Sequence, residues 1–190
     1  NVNIKILNLE YNTPPRYLSD DPYREELDFI YESHFRSDLV TKLCEKLENN
    51  TLILVNHLKH GHYLTDFLCT IPNKRVYFIR GEVDVEERDE IKKIMENNTN
   101  VICVAMSAIF STGINIKNLH NIIFASGGKS FVRTVQSIGR GLRKHDLKSK
   151  LIIFDICDRL RYGIRHCEKR KAIYNIEKIK YSESNIVEKV

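Results

Sequence analysis

The chain has no apolar run approaching the ~18–20 residues that a membrane-crossing helix needs, which excludes a helical membrane span. Cysteine is sparse and scattered: Cys44, Cys69, Cys103, Cys157 and Cys167. No two of them have zinc-ligand or thioredoxin spacing, so neither a metal finger nor a disulfide framework is expected. Their odd number, with apolar neighbours around Cys103 and Cys157, fits small buried side chains in a reducing cytoplasm, the host's if the protein is viral. Glycine is scarce at eight residues. None forms the G-x-G-x-x-G pattern that a Rossmann-type cofactor enzyme carries after its first strand. His57, His60 and His62 cluster, but lack a cysteine or carboxylate at ligand spacing. They are expected as solvated or capping residues, and no metal site is expected. The first residues, Asn-Val-Asn-Ile-Lys, hold neither an initiating Met nor a signal-peptide core, so the chain is expected to be cut from something longer.

What is present is the composition of a folded domain. The 190 residues are 42% hydrophobic and 29% charged, enough for one domain, or one with a small appendage, that needs no covalent staples. The net charge of +5 is unevenly spread. Residues 10–48 are acidic. From Lys129 the chain turns basic, with Arg133, Arg140, Arg143, Lys144, Lys148 and Lys150 facing only Asp146. Such asymmetry suits a polyanionic partner, nucleic acid or nucleotide phosphate, and equally a solvated basic face.

Apolar and polar residues alternate from Val2 to Leu9, which reads as an edge strand or extended lead-in. A proline-containing loop follows, then helices over Tyr23–His34 and Ser37–Glu48. Asp20 or Asp21 serves as cap of the first, with Pro22 in its first turn, and Ser37 as cap of the second. From Thr51 the texture changes to short apolar strands alternating with helices. The strands are Thr51–Val55, Arg75–Ile79, Val101–Ala105, Asn121–Ala125 and Leu151–Asp155. The helices are His57–Thr70, Val85–Asn97 and Ser130–Arg143, with a basic one from Leu160 to about Lys180. Continuous five-residue apolar strands separated by helices signal a parallel sheet buried on both faces. The expected fold class is α/β: a doubly wound, mainly parallel sheet flanked by helices, Rossmann- or RecA-like. The terminal helix is expected to pack Ile164, Ile173, Ile176 and Ile179 onto the sheet, or else to lie along DNA.

Such sheets bind ligands beyond the carboxyl ends of their strands, where Asn56, Arg80, Gly81, Ser107, Ser126 and Asp155 fall. Two longer stretches carry chemistry. In Gln136-Ser-Ile-Gly139-Arg140-Gly141-Leu-Arg143, two arginines three apart can share one helix face, and their planar guanidinium groups match phosphate oxygens. A basic helix end with a glycine cap is the plain alternative. In Ser111-Thr112-Gly113-Ile114-Asn115-Ile116, hydroxyls, glycine and amide offer hydrogen bonds to phosphate or ribose, though the same composition also makes an ordinary turn.

Taken in order, these two stretches resemble motifs V and VI of superfamily 2 helicases. Leu52–Asn56 resembles motif IV. Phe78-Ile-Arg80-Gly81 with Arg88 resembles the following H-G-containing segment, Arg80 standing where His is frequent. The run Phe110 to His120 is similar to that of the phage UvsW helicase group, which remodels branched DNA. The resemblance implies a helicase C-terminal RecA-like domain over residues 35–160. Residues 1–34 would lead in from a preceding motor domain, and residues 161–190 would form a basic helix and tail. It implies that Arg140 and Arg143 act as arginine fingers. Gln136, Gly139, Gly113 and Asn115 would contact ATP, and Asn56, Arg80, Gly81, Ser111 and Thr112 nucleic acid, DNA rather than RNA. The G-x-x-x-x-G-K-[ST] loop and D-E-x-[HD] box of such motors do not occur in this sequence. Gly127-Gly128-Lys129-Ser130 imitates only the end of a phosphate loop. ATP and Mg2+ would therefore be held mainly by a partner, the N-terminal RecA-like domain of the same polypeptide, and the chain alone should be inactive. The alternative is a catalytically inactive nucleic-acid-binding module of the same fold. No membrane partner is implied.

Overall fold

Five strands carry almost unbroken runs of apolar residues, and burying such strands on both faces requires a sheet with helices on either side. The computed structural model, which describes residues 2–80, 85–107, 118–126 and 150–190, has this arrangement. Its elements run β1 (Val2–Glu10), α1 (Pro22–Glu32), α2 (His34–Lys46), β2 (Thr51–Val55), α3 (Leu58–Leu68), β3 (Arg75–Ile79), α4 (Val85–Asn97), β4 (Val101–Met106), β5 (Asn121–Phe124), β6 (Leu151–Asp158), α5 (Gly163–Ile176) and β7 (Lys180–Val187). The seven strands lie in the order β3-β4-β2-β5-β6-β1-β7, and every pairing is parallel. The core lies on both faces. Leu52, Leu54, Cys103, Ile122, Phe124 and Ile153 pack one way, and Ile53, Val55, Ile102, Val104, Ile123 and Ile156 the other. No helix among the described residues is long and apolar enough to cross a membrane.

Local chemistry sets the helix starts. The Asp21 carboxylate accepts from the Arg24 amide at 3.0 Å and Pro22 opens α1, as its sequence predicts. The next helix starts earlier than expected. Ser33, not Ser37, is its cap, accepting from the Arg36 amide at 3.3 Å, while Ser37 is buried one turn inside. Arg36 is buried there too, and its guanidinium grips the Asp158 carboxylate with two bonds of 2.9 and 3.2 Å, fixing α2 to the end of β6. Tyr11 donates to the same carboxylate.

Two expectations about the ends of the chain are corrected. β1 is not an edge strand. It lies between β6 and β7, in register from Val2↔Leu151 to Leu9↔Asp158 on one side and Asn3↔Lys180 to Glu10↔Val187 on the other. The edge is β7, which was expected as helix end and tail. The terminal helix packs on the sheet, with Ile173, and Ile179 just beyond the helix, partly buried against the core as expected. Ile164 and Ile176 are exposed, and the buried stripe is Gly163, Cys167, Arg170 and Tyr174. Arg170 pairs with Asp155 at 2.9 Å, and Tyr174 donates to that carboxylate at 2.6 Å. Asp155 therefore lies inside β6 as a core anchor, not at a ligand edge. Lys171 bridges Glu183 of β7 at 2.7 Å.

Candidate nucleic-acid interface

Because all strands are parallel, their carboxyl ends share one edge of the molecule, and register decides which residues meet there. Val55 pairs with Met106, so Asn56 and Ser107 emerge side by side. Leu54 pairs with Phe124, and the Ala125 amide donates to the Leu54 carbonyl, which brings Ser126 to the other flank of Asn56. These neighbours bond. Ser107 Oγ donates to Asn56 Oδ1 at 2.5 Å, and the Asn56 amide donates to Ser126 Oγ at 2.9 Å. Ile79 pairs with Ala105, which puts exposed Arg80 beyond Ser107 at the end of β3. A row of polar side chains thus crosses the ends of β5, β2, β4 and β3.

Behind the row stands His60. It is 1% exposed, so the expectation of a solvated or capping histidine fails for it. Its Nδ1 lies 3.2 Å from Ser126 Oγ, and its ring stacks on Tyr31 of α1 with centroids 4.4 Å apart. Burial, reinforced by the Arg36 charge and by His57, holds the His60 pKa well below the usual histidine value, leaving the ring neutral. The neutral ring can either accept from the Ser126 hydroxyl or donate to it, according to its tautomer. Gly61 lets α3 sit this close to the sheet. A Cβ there would stand 2.3 Å from the Phe78 ring of β3.

α1 runs along this edge. Near its start, the buried Glu26 carboxylate accepts from the Tyr162 and Gly163 amides at 3.1 Å, capping α5. Its other end meets α3, where Glu32 pairs with Lys59. Between α1 and the start of α3 is a cavity of about 400 Å³, whose walls include Tyr31, Asn56, His57, Leu58 and Met106. The α1 wall escapes sequence reasoning because Tyr31 and His60 are distant in the chain. Its only local signal is an apolar face shared by Leu27, Ile30 and Tyr31.

Of the residues singled out from sequence, Asn56 and Arg80 are placed on this edge. Gly81, Ser111, Thr112, Gly113, Asn115, Gln136, Gly139, Arg140 and Arg143 lie outside the described residues, as do Gly127–Ser130 and the helix expected over Ser130–Arg143. Among the described residues, no three His, Cys, Asp or Glu side chains stand together as metal ligands.

Comparison with known proteins agrees with the architecture. Residues 36–145 match the helicase conserved C-terminal domain. The chain is 38% identical over 144 residues to the ATP-dependent DNA helicase uvsW of Enterobacteria phage T4, an alignment covering 74% of this chain and 28% of that protein. It is 25% identical over 163 residues to UvrABC system protein B of Burkholderia mallei, covering 80% of this chain and 23% of the relative. The chain thus spans about a quarter of the length of these relatives. The crystal structure of T4 UvsW superposes with a TM-score of 0.80 at 32% identity, covering 98% of this chain and 42% of that one. The C-terminal domain of the DEAD-box protein Dbp5 shares the fold, with a TM-score of 0.61 at 14% identity over 96% of this chain and 90% of its own. The parallel RecA-like sheet and the match over residues 36–145 show that this chain belongs to the helicase conserved C-terminal domain family.

Proposed function

We propose that the chain is the second motor domain of an ATP-dependent superfamily 2 DNA helicase or translocase that unwinds or remodels branched DNA in recombination, repair or replication. The observation that carries this reading is the row of Ser126, Asn56, Ser107 and Arg80 across adjacent strand ends. Hydroxyl, amide and guanidinium groups so placed suit the sugar-phosphate backbone, and such contacts position a strand without reading its sequence. Gly81, Ser111 and Thr112 would extend the row. A likeness to a protein named as an ATP-dependent DNA helicase favours DNA over RNA and supports the whole motor as ATP-driven.

In this reading Arg140 and Arg143 serve ATP held with Mg2+ mainly by the N-terminal RecA-like domain of the same polypeptide. The described residues offer no metal-holding cluster of their own. The two guanidinium groups would neutralise charge on the transferring phosphate when the cleft closes, with Gln136, Gly139, Gly113 and Asn115 orienting them and the nucleotide. Residues 35–160 would be the conserved motor unit, with 1–34 and 161–190 flanking it.

The test is made in the protein that carries both motor domains. Arg140→Ala or Arg143→Ala should lower kcat for ATP hydrolysis by about 10³-fold or more, the scale of an arginine finger, while DNA affinity changes little. A variant with near wild-type kcat would remove that arginine from the role. Stimulation of hydrolysis by forked DNA above linear duplex tests the substrate.

A further inference from the structure

The cavity between α1 and α3 has properties that a backbone-gripping surface does not need. Its walls carry the Tyr31 and His57 rings, 5.4 Å apart and tilted by 50°, with Leu58 and Met106 beside them. The charges that line it are already paired: Arg24 with Asp28 at 3.3 Å, and Lys59 with Glu32 at 3.2 Å. Side-chain charge alone therefore draws no anion there. Tyr31 is 4% exposed, yet its hydroxyl has no hydrogen-bond partner. A buried donor left unpaired costs about 1–3 kcal/mol. Burial pushes this hydroxyl up to about 12, so it keeps its proton and can only be relieved by an acceptor. Finally, α3 begins at Leu58 without a side-chain cap from His57, leaving its first amides for an anion placed at the mouth.

A flat, uncharged heterocycle with an acceptor on its edge and one phosphate attached satisfies all of these at once. We propose that the cavity receives the base of an unpaired nucleotide of the DNA strand, its edge accepting from the Tyr31 hydroxyl and its phosphate resting on the Leu58 and Lys59 amides. This inference rests on the reading of the strand-end row as a DNA grip. The site adds a stop at which one base leaves the track, and it is built half from α1, outside the matched residues 36–145.

Fluorescence anisotropy on the full 190-residue chain tests it, comparing a labelled single strand with an abasic strand of equal length at one salt concentration. The base-bearing strand should bind about tenfold tighter, the scale of one stacked base. Tyr31→Phe keeps the ring and should cut that advantage about threefold or more, without changing abasic affinity. A strand carrying 5-iodouracil should photocrosslink to Tyr31, His57 or Met106, a readout independent of any variant. Equal affinity for the two strands, with Arg80→Ala weakening both, would leave the backbone grip standing and remove the base site. Binding of neither strand would remove both. Tyr31→Phe behaving as wild type, or crosslinks only elsewhere, would overturn the site. So would a free deoxynucleoside monophosphate that competes as well as the strand, since the cavity would then be a nucleotide site.

Discussion

Ser126 Oγ is shared between the Asn56 amide and the His60 ring, which ties the end of β2 to a buried histidine. The folded-state pKa of His60 is depressed, whereas in the unfolded chain it titrates near the ordinary ~6.5. Below that pH the unfolded state binds a proton that the folded state refuses, so stability falls as pH drops through about 6.5, by up to ~1.4 kcal/mol per pH unit. Urea unfolding followed from pH 7.5 to 5 should show this loss, and His60→Gln should flatten it. An unchanged slope would place the effect elsewhere. The Arg36–Asp158 pair makes a second prediction. Both side chains are almost fully buried, so Asp158→Ala strands a guanidinium in the core and should cost about 3–5 kcal/mol in urea unfolding. Arg36→Met with Asp158→Leu should recover much of it; a double variant as unstable as the single one would show that the charge is not the cause. Neither role was legible in sequence. Nothing near Arg36 or Arg170 in the chain reports that a carboxylate, Asp158 or Asp155, waits in the core for each.

The joint between α3 and β3 depends on a missing side chain. Alanine is favoured over glycine inside a helix by about 1 kcal/mol, which argues for Gly61→Ala. The Phe78 ring opposes it, because the new Cβ would lie 2.3 Å from the nearest ring atom and the ring must move. The clash should win, giving a net loss of about 1–2 kcal/mol. Gly61→Ala with Phe78→Leu should be more stable than the sum of the single changes, measured as a double-mutant cycle. Additivity would show that the ring does not set the distance. Elements were legible where burial imposes a pattern. β2 is buried at all five positions and its bounds, like those of β3 and α4, are those its sequence predicts. β7 was missed because Lys180-Tyr-Ser-Glu-Ser-Asn-Ile-Val187 is exposed along most of its length and lacks an apolar repeat. The α5 face was only half legible: Ile173 packs as expected, but a stripe of Gly, Cys, Arg and Tyr carries no apolar repeat, although salt bridge and hydroxyl satisfy it.

At the scale of the molecule, one edge holds the polar row, Arg80 and the α1 cavity. Duplex binding by the chain should weaken with salt, log Kd changing by about 0.9 per tenfold salt for each phosphate neutralised. Arg80→Ala should lower that slope by about one unit without altering sequence preference. Neutralising Lys169, which faces solvent on α5, should change it less. Lys171 and Arg170 are unsuited to that comparison, being held by Glu183 and Asp155. A tight, salt-insensitive, sequence-selective complex would contradict a motor surface. The edge itself was legible, since strand ends follow from the α/β pattern and Asn56, Ser107 and Ser126 stand at them. The cavity was not, because its far wall comes from a helix that precedes the sheet's second strand.

The pairing of β1 has a consequence for synthesis. Its partners are Leu151–Asp158 on one side and Lys180–Val187 on the other. Within this domain β1 is made before the strands it pairs with and cannot be seated until β6 and β7 have followed. Four strands, β3, β4, β2 and β5, can assemble meanwhile, but the Ile4 and Ile6 side chains, fully buried in the folded domain, stay bare until β6 arrives. Closing so distant a pair is slow, and the waiting strand is open to pairing with another chain. One side of this sheet is thus completed by strands from the two ends of the domain.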